Sequence, residues 1–508
     1  MGGVVNDYKG GGKVDDVYSP ILDTSTPEKH KHIIGKLAQM TTEDSLQALE
    51  HAKNAWNRGQ GVWPLMSTEG RIAAIQSVIS KLKERREEII NVLQWEICKS
   101  STDAAAEFDR TMVFIESTIN EVRIASKQSS IWKTISGIAA KVRRAAIGIM
   151  LCLGPFNYPF NETYATMIPA LLMGNIIILK LPTVGGLAHV LTMEAYASSL
   201  PPGVVNFISG SGRLTVPPLM KTGEIDVLSF IGGSGSADRI IKDHPHPHRL
   251  KLFLQLEGKN LGIVTPTADL DVAAAESIVG TTSYNGQRCT AIKLLMVHES
   301  VAKEFNDKFI QKISDLKSGN PWDENGQVKI TPLPEPNKIE KMKELITDAE
   351  QKGSNLINKH MGGGKVRGNI MEPAVMFPVT SDMRLWHEEQ FGPVIPIATY
   401  KSLDEIYDYL AKMPYGQQAS IFTKDAKSVA NLVDILSTTV GRINVNTQCG
   451  RSPDTLPFSG RRSSALGTMS VSEALNQFSI ETVVAAKDNE NNRKVLNQLD
   501  TVSTFLEL

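Results

Sequence analysis

Along residues 41–124 apolar positions recur every three to four residues. EDSLQALEHAKNAW, IAAIQSVISKLKERREEIINVLQW and the stretch 104–124 share this spacing, which predicts three successive amphipathic helices. At Ala145 the pattern changes. AIGIMLCLGPF, NIIILKL, VVNFISG, DVLSFIGG and LGIVTP are short unbroken apolar runs closed by turn residues, the form of strands buried on both faces. Helical stretches such as LAHVLTMEAYASSL separate them, and this alternation predicts a parallel sheet with right-handed crossovers. A second alternating set follows Gly286: AIKLLMVHE, VAKEFNDKFIQKISDL, VIPIATY, DEIYDYLAKM, ASIFTKD and RINVN. Two α/β domains in tandem are expected, joined within residues 256–283. The first thirty residues, polar and Gly-rich, read as a loose arm. Residues 127–144 read as an excursion from the main body. The tail SIETVVAAK is an extended run, a candidate for pairing with another subunit.

Composition narrows the function mainly by exclusion. A chain of 508 residues, at about 150 per domain, holds roughly three structural units. Lys and Arg total 54 against 55 Asp and Glu, so the basic excess of a nucleic-acid binder or a polybasic membrane-surface protein is missing. Apolar residues at 41% and charged residues at 21% fit a large soluble globular protein. The apolar stretch 164–181 is interrupted by Pro169, Gly174, Asn175 and Lys180 and reads as core, not a membrane span. Cys98, Cys152, Cys289 and Cys449 are widely spaced and form no CxxC pair, which fits a reducing compartment. No Arg-rich or apolar leader is visible, and Gly2 is followed by Asn6 where a myristoylation signal has Ser or Thr, so a cytoplasmic protein is expected. HPHPH at 244–248 is broken by prolines and reads as a surface turn, with no metal site expected. MGGGK at 361–365 lacks the GK[ST] of a phosphate loop and reads as a loop tip.

The chemistry lies in five words: FNYPF at 156–160, LKLPT at 179–183, FIGGSGS at 230–236, GQRCT at 286–290 and EEQFGPV at 388–394. In this order and spacing the chain resembles the aldehyde dehydrogenase superfamily over residues 43–487. It is most similar to the NADP-dependent branch holding the non-phosphorylating glyceraldehyde-3-phosphate dehydrogenases. It is also similar to the plant and moss family 21, which the resemblance associates with succinic semialdehyde. The resemblance implies an α/β aldehyde dehydrogenase fold with a Rossmann-like cofactor domain (residues 1–126 and 147–257) and an α/β catalytic domain (258–478). A small β oligomerisation element (127–146 and 479–508) and a homodimer or homotetramer are implied with it.

Within that frame Cys289, in Gly-Gln-Arg-Cys-Thr ahead of an apolar run, is the nucleophile. A thiolate is the reactive species, and a polar loop beside a cationic cofactor is where a thiol pKa falls. Cys98 and Cys152 sit in helix and strand patterns and read as small buried hydrophobes, while Cys449 lies in a loop that can approach the site. Asn157 ends a buried strand region, and its amide, with the backbone N–H of Cys289, can donate to an oxyanion. Lys180 ends a strand at the sheet's carboxyl edge, where α/β ligands bind. Three residues on, where many NAD-using relatives carry a carboxylate, this chain has Thr183, so NADP is favoured over NAD. Arg213 is a possible second phosphate contact. The turn at Gly233 and Ser234 brings backbone amides toward a pyrophosphate, although Gly233 stands where Ser is common. Glu389 and Phe391 match the pair that holds the nicotinamide ribose and ring.

One word departs from the family. Its general base lies in Glu-Leu-Gly-Gly-Lys, and registering on Lys259 puts Gln255 at the base position and Glu257 two residues on. A neutral amide cannot accept a proton from water. In an extended strand both side chains face one way, about 6.6 Å apart. Glu257 is the provisional base; Gln255 orienting water for another carboxylate, acyl transfer to coenzyme A, and a structural ion pair for Glu257 remain open. Arg123, matched to an anion-binding helix position, and Arg451 in QCGRSPD form the expected clamp for a small anionic aldehyde. Arg288 beside the Cys reads as structural. The expected reaction is NADP-dependent oxidation of succinic semialdehyde to succinate through a cysteine thioester. Glyceraldehyde 3-phosphate oxidation, coenzyme A acylation and a non-catalytic relative stand as alternatives.

Overall fold

The computed structural model describes residues 10–23 and 30–506; Gly2, Asn6 and the two C-terminal residues lie outside the described residues. The helical region holds four long helices rather than three: Thr42–Trp56, Thr68–Glu84, Arg86–Ile97 and Ser101–Gln128. The middle run breaks at Arg85, whose guanidinium turns aside to the Leu191 carbonyl at 2.9 Å. Thr41, Ser67 and Ser100 cap three of these helices by accepting N–H bonds from Asp44, Gly70 and Asp103.

The Gly-rich arm is a correction, because Lys13–Asp23 and His30–Gln39 pair as an antiparallel hairpin. Ile21 and Leu37 are buried, and the Ser19 hydroxyl donates to the Trp95 carbonyl at 2.6 Å.

Five parallel strands form the first sheet, in spatial order Lys251–Gln255, Val227–Ile231, Ile149–Leu153, Ile176–Lys180, Val205–Ile208. The chain builds outward from Ile149–Leu153 in one direction, then restarts on its other side. That reversal leaves a crevice at the carboxyl ends of Ile149–Leu153 and Val227–Ile231, where open α/β sheets bind ligands. The run LGIVTP, which resembles the first-sheet strands, instead opens the second sheet as Asn260–Val264, between Ile292–His298 and Gln418–Phe422. The chain therefore first crosses from one sheet to the other within residues 256–259. Val394–Tyr400, Ala374–Phe377 and Arg442–Val445 extend the second sheet in parallel.

After the second sheet the chain returns to the first. Ala465–Leu466 pairs antiparallel with Leu254 and Gln255, and Phe458, Met469, Leu475 and Phe478 join the first core. Residues 465–478 thus pack with the first sheet, although the second domain was expected to run to 478. The terminal strand Ile480–Lys487 finds its partner within the chain, pairing over its whole length with Ile138–Ala145, which also carries Lys133–Ile135. Among the described residues no helix is long and apolar enough to cross a membrane.

Candidate active site

At the crevice lies a cavity of about 960 Å³. Of the residues singled out from sequence, Cys289, Asn157, Glu257, Thr183, Gly233, Glu389, Phe391 and Arg451 line it, with Gln255 and Arg288. Cys289 sits on a loop bent through left-handed backbone at Tyr284 (φ 49°), Asn285 (φ 57°) and Gly286 (φ 72°). A Cβ at Gly286 would meet the carbonyl oxygens of Thr281 and Gly392 at 2.8 and 2.9 Å, so only glycine fits this bend. Cys289 is partly exposed, whereas Cys98, Cys152 and Cys449 are buried. Burial, reinforced by the Glu162 and Glu389 carboxylates and opposed by Lys293 and Arg451, pushes the Cys289 thiol up to about 12. The loop by itself therefore does not lower the pKa; at neutral pH the protein's own groups leave a thiol, and added positive charge is needed to form the nucleophile.

Asn157, buried, donates its amide to the Gln287 carbonyl at 2.8 Å. The amide nitrogen has two N–H groups, so one remains for the cavity. Gln255 is 3% exposed, and neither its Oε1 nor its Nε2 has a hydrogen-bond partner among the described residues. Glu257, by contrast, is engaged: its Oε2 accepts from the Ser234 N–H at 2.8 Å. Ser234 opens the helix Ser234–Lys242, so the carboxylate sits on a helix N-terminus, where partial positive charge favours an anion.

Lys180 does not line the cavity; it is buried at the end of Ile176–Lys180. Its ammonium donates to the Leu181 carbonyl at 2.6 Å and makes no ion pair among the described residues; burial pulls its pKa down to about 8. Thr183 and Arg213 are exposed. Glu389 accepts from the Gly258 N–H at 3.3 Å and lies 4.0 Å from the Lys293 ammonium. Burial raises its carboxyl, with Lys293 opposing. Phe391 packs edge-on to Phe156 with centroids 5.9 Å apart, and Lys293 lies 4.5 Å from its ring centre. Lys293 was missed from sequence. Its signal was a lysine inside the buried run AIKLLMVHE, which must find partners; it donates to the Gly286 and Gln390 carbonyls at 2.8 and 3.0 Å.

The arginine clamp needs correction. Arg123 is not in the cavity: it is exposed and forms a two-pronged pair with Glu69 at 2.9 and 2.8 Å. Arg110, on the same helix, lines the cavity in its stead and grips Asp454 at 2.9 and 2.7 Å. Arg451 is there and buried, but it is paired with Glu162 at 2.7 Å and Asp454 at 3.2 Å. Burial works to raise the Asp454 carboxyl, yet Arg110 and Arg451 hold it below its usual range. Arg288 and Arg442 also line the cavity, and among the described residues these two bond only neutral acceptors. Arg288 reaches the Val279 and Gly280 carbonyls and Gln448 at 3.2 to 3.3 Å; Arg442 reaches the Arg451 and Ser452 carbonyls, both at 3.1 Å. A thiol, an amide donor and two guanidiniums without carboxylate contacts therefore face one space. That arrangement suits addition to a carbonyl carried by an anion.

Comparison with known proteins agrees. The model of the aldehyde dehydrogenase family matches residues 18–484. An NADP-dependent glyceraldehyde-3-phosphate dehydrogenase of Streptococcus equinus is 32% identical over 459 residues, covering 89% of this chain and 92% of that protein. The enzyme of the same name from Pisum sativum is 30% identical over 460 residues, covering 88% and 89%. Among solved structures, NADP-dependent glyceraldehyde-3-phosphate dehydrogenase from Bacillus halodurans C-125 complexed with NADP superposes with a TM-score of 0.83 at 30% identity, covering 94% of this chain and 96% of that one.

Proposed function

Because the chain belongs to the aldehyde dehydrogenase family, we propose that it oxidises a small anionic aldehyde to its acid with NADP, glyceraldehyde 3-phosphate being the best-supported substrate. Succinic semialdehyde, the first expectation from sequence, has less support: the relatives at 32% and 30% identity bear the name of the phosphorylated aldehyde's enzyme. The observation that carries the reading is the pair Arg288 and Arg442 in the Cys289 cavity, free of carboxylate contacts and suited to a phosphate.

In this reading Cys289 gives up its thiol proton to solvent, and the resulting thiolate adds to the aldehyde carbon. The free amide N–H of Asn157 and the Cys289 backbone N–H receive the oxyanion. Bound NADP⁺ would supply the hydride acceptor, and loss of that hydride would leave an acyl thioester on Cys289. Water then attacks the acyl carbon, its proton passes to Glu257, the C–S bond breaks, and that proton returns to the Cys289 sulfur. Gln255 cannot take the proton but can hold the water through its unfilled amide. The NADP fit rests on Lys180, a buried ammonium without a carboxylate, which meets the need of a 2′-phosphate, and on Thr183, which adds no repelling charge there. Arg213 lies exposed at the start of the helix Gly212–Lys221 and can add to the phosphate contact. Glu389 and Phe391 serve the ribose and nicotinamide. The free cysteines support a reducing, cytoplasmic setting, and the exposed Ile480 and Val483 of the terminal strand support a homodimer or homotetramer.

Steady-state NADPH formation tests this with each aldehyde, with and without coenzyme A. Glyceraldehyde 3-phosphate should be oxidised to the free acid with NADP and without coenzyme A. Turnover of succinic semialdehyde alone would overturn the substrate, an acyl-coenzyme A product would overturn hydrolysis, and normal NADP binding with neither aldehyde oxidised would overturn the enzyme reading.

A further inference from the structure

We propose that Glu257 is a latch on the dinucleotide turn: its carboxylate occupies the helix N-terminus in the free protein, and NADP binding displaces it toward Cys289, so that cofactor binding arms the base. The inference rests on the NADP reading above and adds to it.

Three observations converge. First, the helix Ser234–Lys242 begins without a capping side chain of its own, since its N-cap is Gly233, and Glu257 supplies the cap by accepting the Ser234 N–H at 2.8 Å. The approach is close: a Cβ at Gly233 would lie 3.0 Å from Glu257 Oε1. Second, this helix follows Val227–Ile231 at the point where the strand order reverses, the place where an α/β sheet presents N–H groups to a ligand phosphate. A carboxylate and a phosphate cannot both accept the same N–H, and their charges repel. Third, Gln255 is buried, lines the cavity shared with Glu257 and Cys289, and has both polar atoms unfilled among the described residues. Its Nε2 can donate to a carboxylate released from Ser234. A second carboxylate at that position would repel one instead.

The exchange of residue types is therefore coherent. A neutral amide at 255 makes room for a charged group arriving from 257. When Glu257 is released, it takes the proton of the attacking water as the oxygen–carbon bond forms, and the expelled Cys289 sulfur receives it.

Calorimetric titration of NADP⁺ into wild-type protein and Glu257→Gln tests the latch without turnover. Removing the competing anion should tighten NADP⁺ binding about tenfold, whereas adenosine 2′-monophosphate, which has no pyrophosphate, should bind both proteins alike. In Glu257→Gln the first turnover should still release NADPH, with acid release slowed. Unchanged or weaker NADP⁺ binding overturns the latch, and so does equal tightening of both ligands, which would reflect general charge alone. If Glu257→Gln does not fold, Glu257→Asp, too short to reach Ser234, carries the same comparison. Failure of the wild type to bind either ligand would instead overturn the NADP reading.

Discussion

The Asn157 side-chain amide donates to the backbone carbonyl of Gln287 across 2.8 Å, fastening the loop after the first sheet's central strand to the loop that carries Cys289. One N–H is thus a tether, and the other remains free to donate to a group bound in the cavity that Asn157 lines. Replacing Asn157 with Ala removes both, and replacing it with Asp keeps the shape without a donor. Loss of an oxyanion donor costs about 2.7–4 kcal/mol of transition-state stabilisation. Both variants should therefore lose about 10²–10³ in kcat with a smaller change in KM. A fall in kcat of less than tenfold in both would remove Asn157 from the reaction.

Cys289 should be the one thiol that reagents reach, and it should react slowly at neutral pH. Cys98, Cys152 and Cys449 are buried, and burial pushes Cys152 and Cys449 up to about 12 and about 11. The Cys289 thiol is itself pushed up to about 12, against an ordinary value of about 8.5. Iodoacetamide labelling of the cofactor-free protein should give one modified cysteine per chain by mass spectrometry. Its rate should climb with pH through 9 without levelling. A plateau near pH 8 would mean that the loop stabilises the thiolate unaided.

The arginines separate into three behaviours. Arg123→Ala removes an exposed pair with Glu69, so KM should stay unchanged and the stability cost should remain within about 1 kcal/mol. Arg288→Ala removes a guanidinium held only by neutral acceptors, and KM for glyceraldehyde 3-phosphate should rise at least about tenfold, the loss expected of a charge-assisted bond. Arg451→Gln leaves Glu162 without its buried partner, while Asp454 keeps Arg110; breaking the Arg451–Glu162 pair costs about 3–5 kcal/mol and should appear as a lowered Tm. An unchanged KM in Arg288→Ala would remove it from the anion site.

Both sheets were legible because a strand covered on both faces is apolar along its length, as in the buried run Ile176, Ile177, Ile178 and Leu179 ahead of Lys180. The same rule hid the domain boundary: LGIVTP is as buried as the first-sheet strands, so nothing in its composition says which sheet it joins. The hairpin of Lys13–Asp23 was illegible because it lies half-exposed over the helices and needs few apolar residues. Helical spacing was enough to place Arg110 and Arg123 on one helix, but not to say which face the cavity takes. Thirteen residues apart at about 100° each, they point about 220° from one another. Gln255 and Glu257 were identified by register. That Ser234 holds Glu257 while Gln255 is left unpaired depends on a contact 23 residues distant in sequence, beyond any local pattern.

Lys180 offers a test whose sign can be worked out in advance. Burial lowers its pKa to about 8, so in the free protein the ammonium is charged below that pH and neutral above it. A 2′-phosphate beside it favours the charged form, so above about pH 8 NADP binding must take up a proton. Affinity for NADP should therefore fall as pH rises past 8, while affinity for NAD, which has no such phosphate, stays flat. Lys180→Met should abolish this slope and weaken NADP binding about 10–100-fold at pH 7, the range expected for one lost charge-assisted bond. Stability should move the other way. A lysine with a depressed folded pKa makes the unfolded chain bind more protons between about pH 8 and the unfolded value of 10.5, so wild-type stability rises with pH across that window. The Met variant, with no ammonium to desolvate, should lose that rise and melt no lower than wild type at pH 7. Equal NADP affinity in the two proteins, or the same pH slope for NADP and NAD, would show that Lys180 does not read the phosphate.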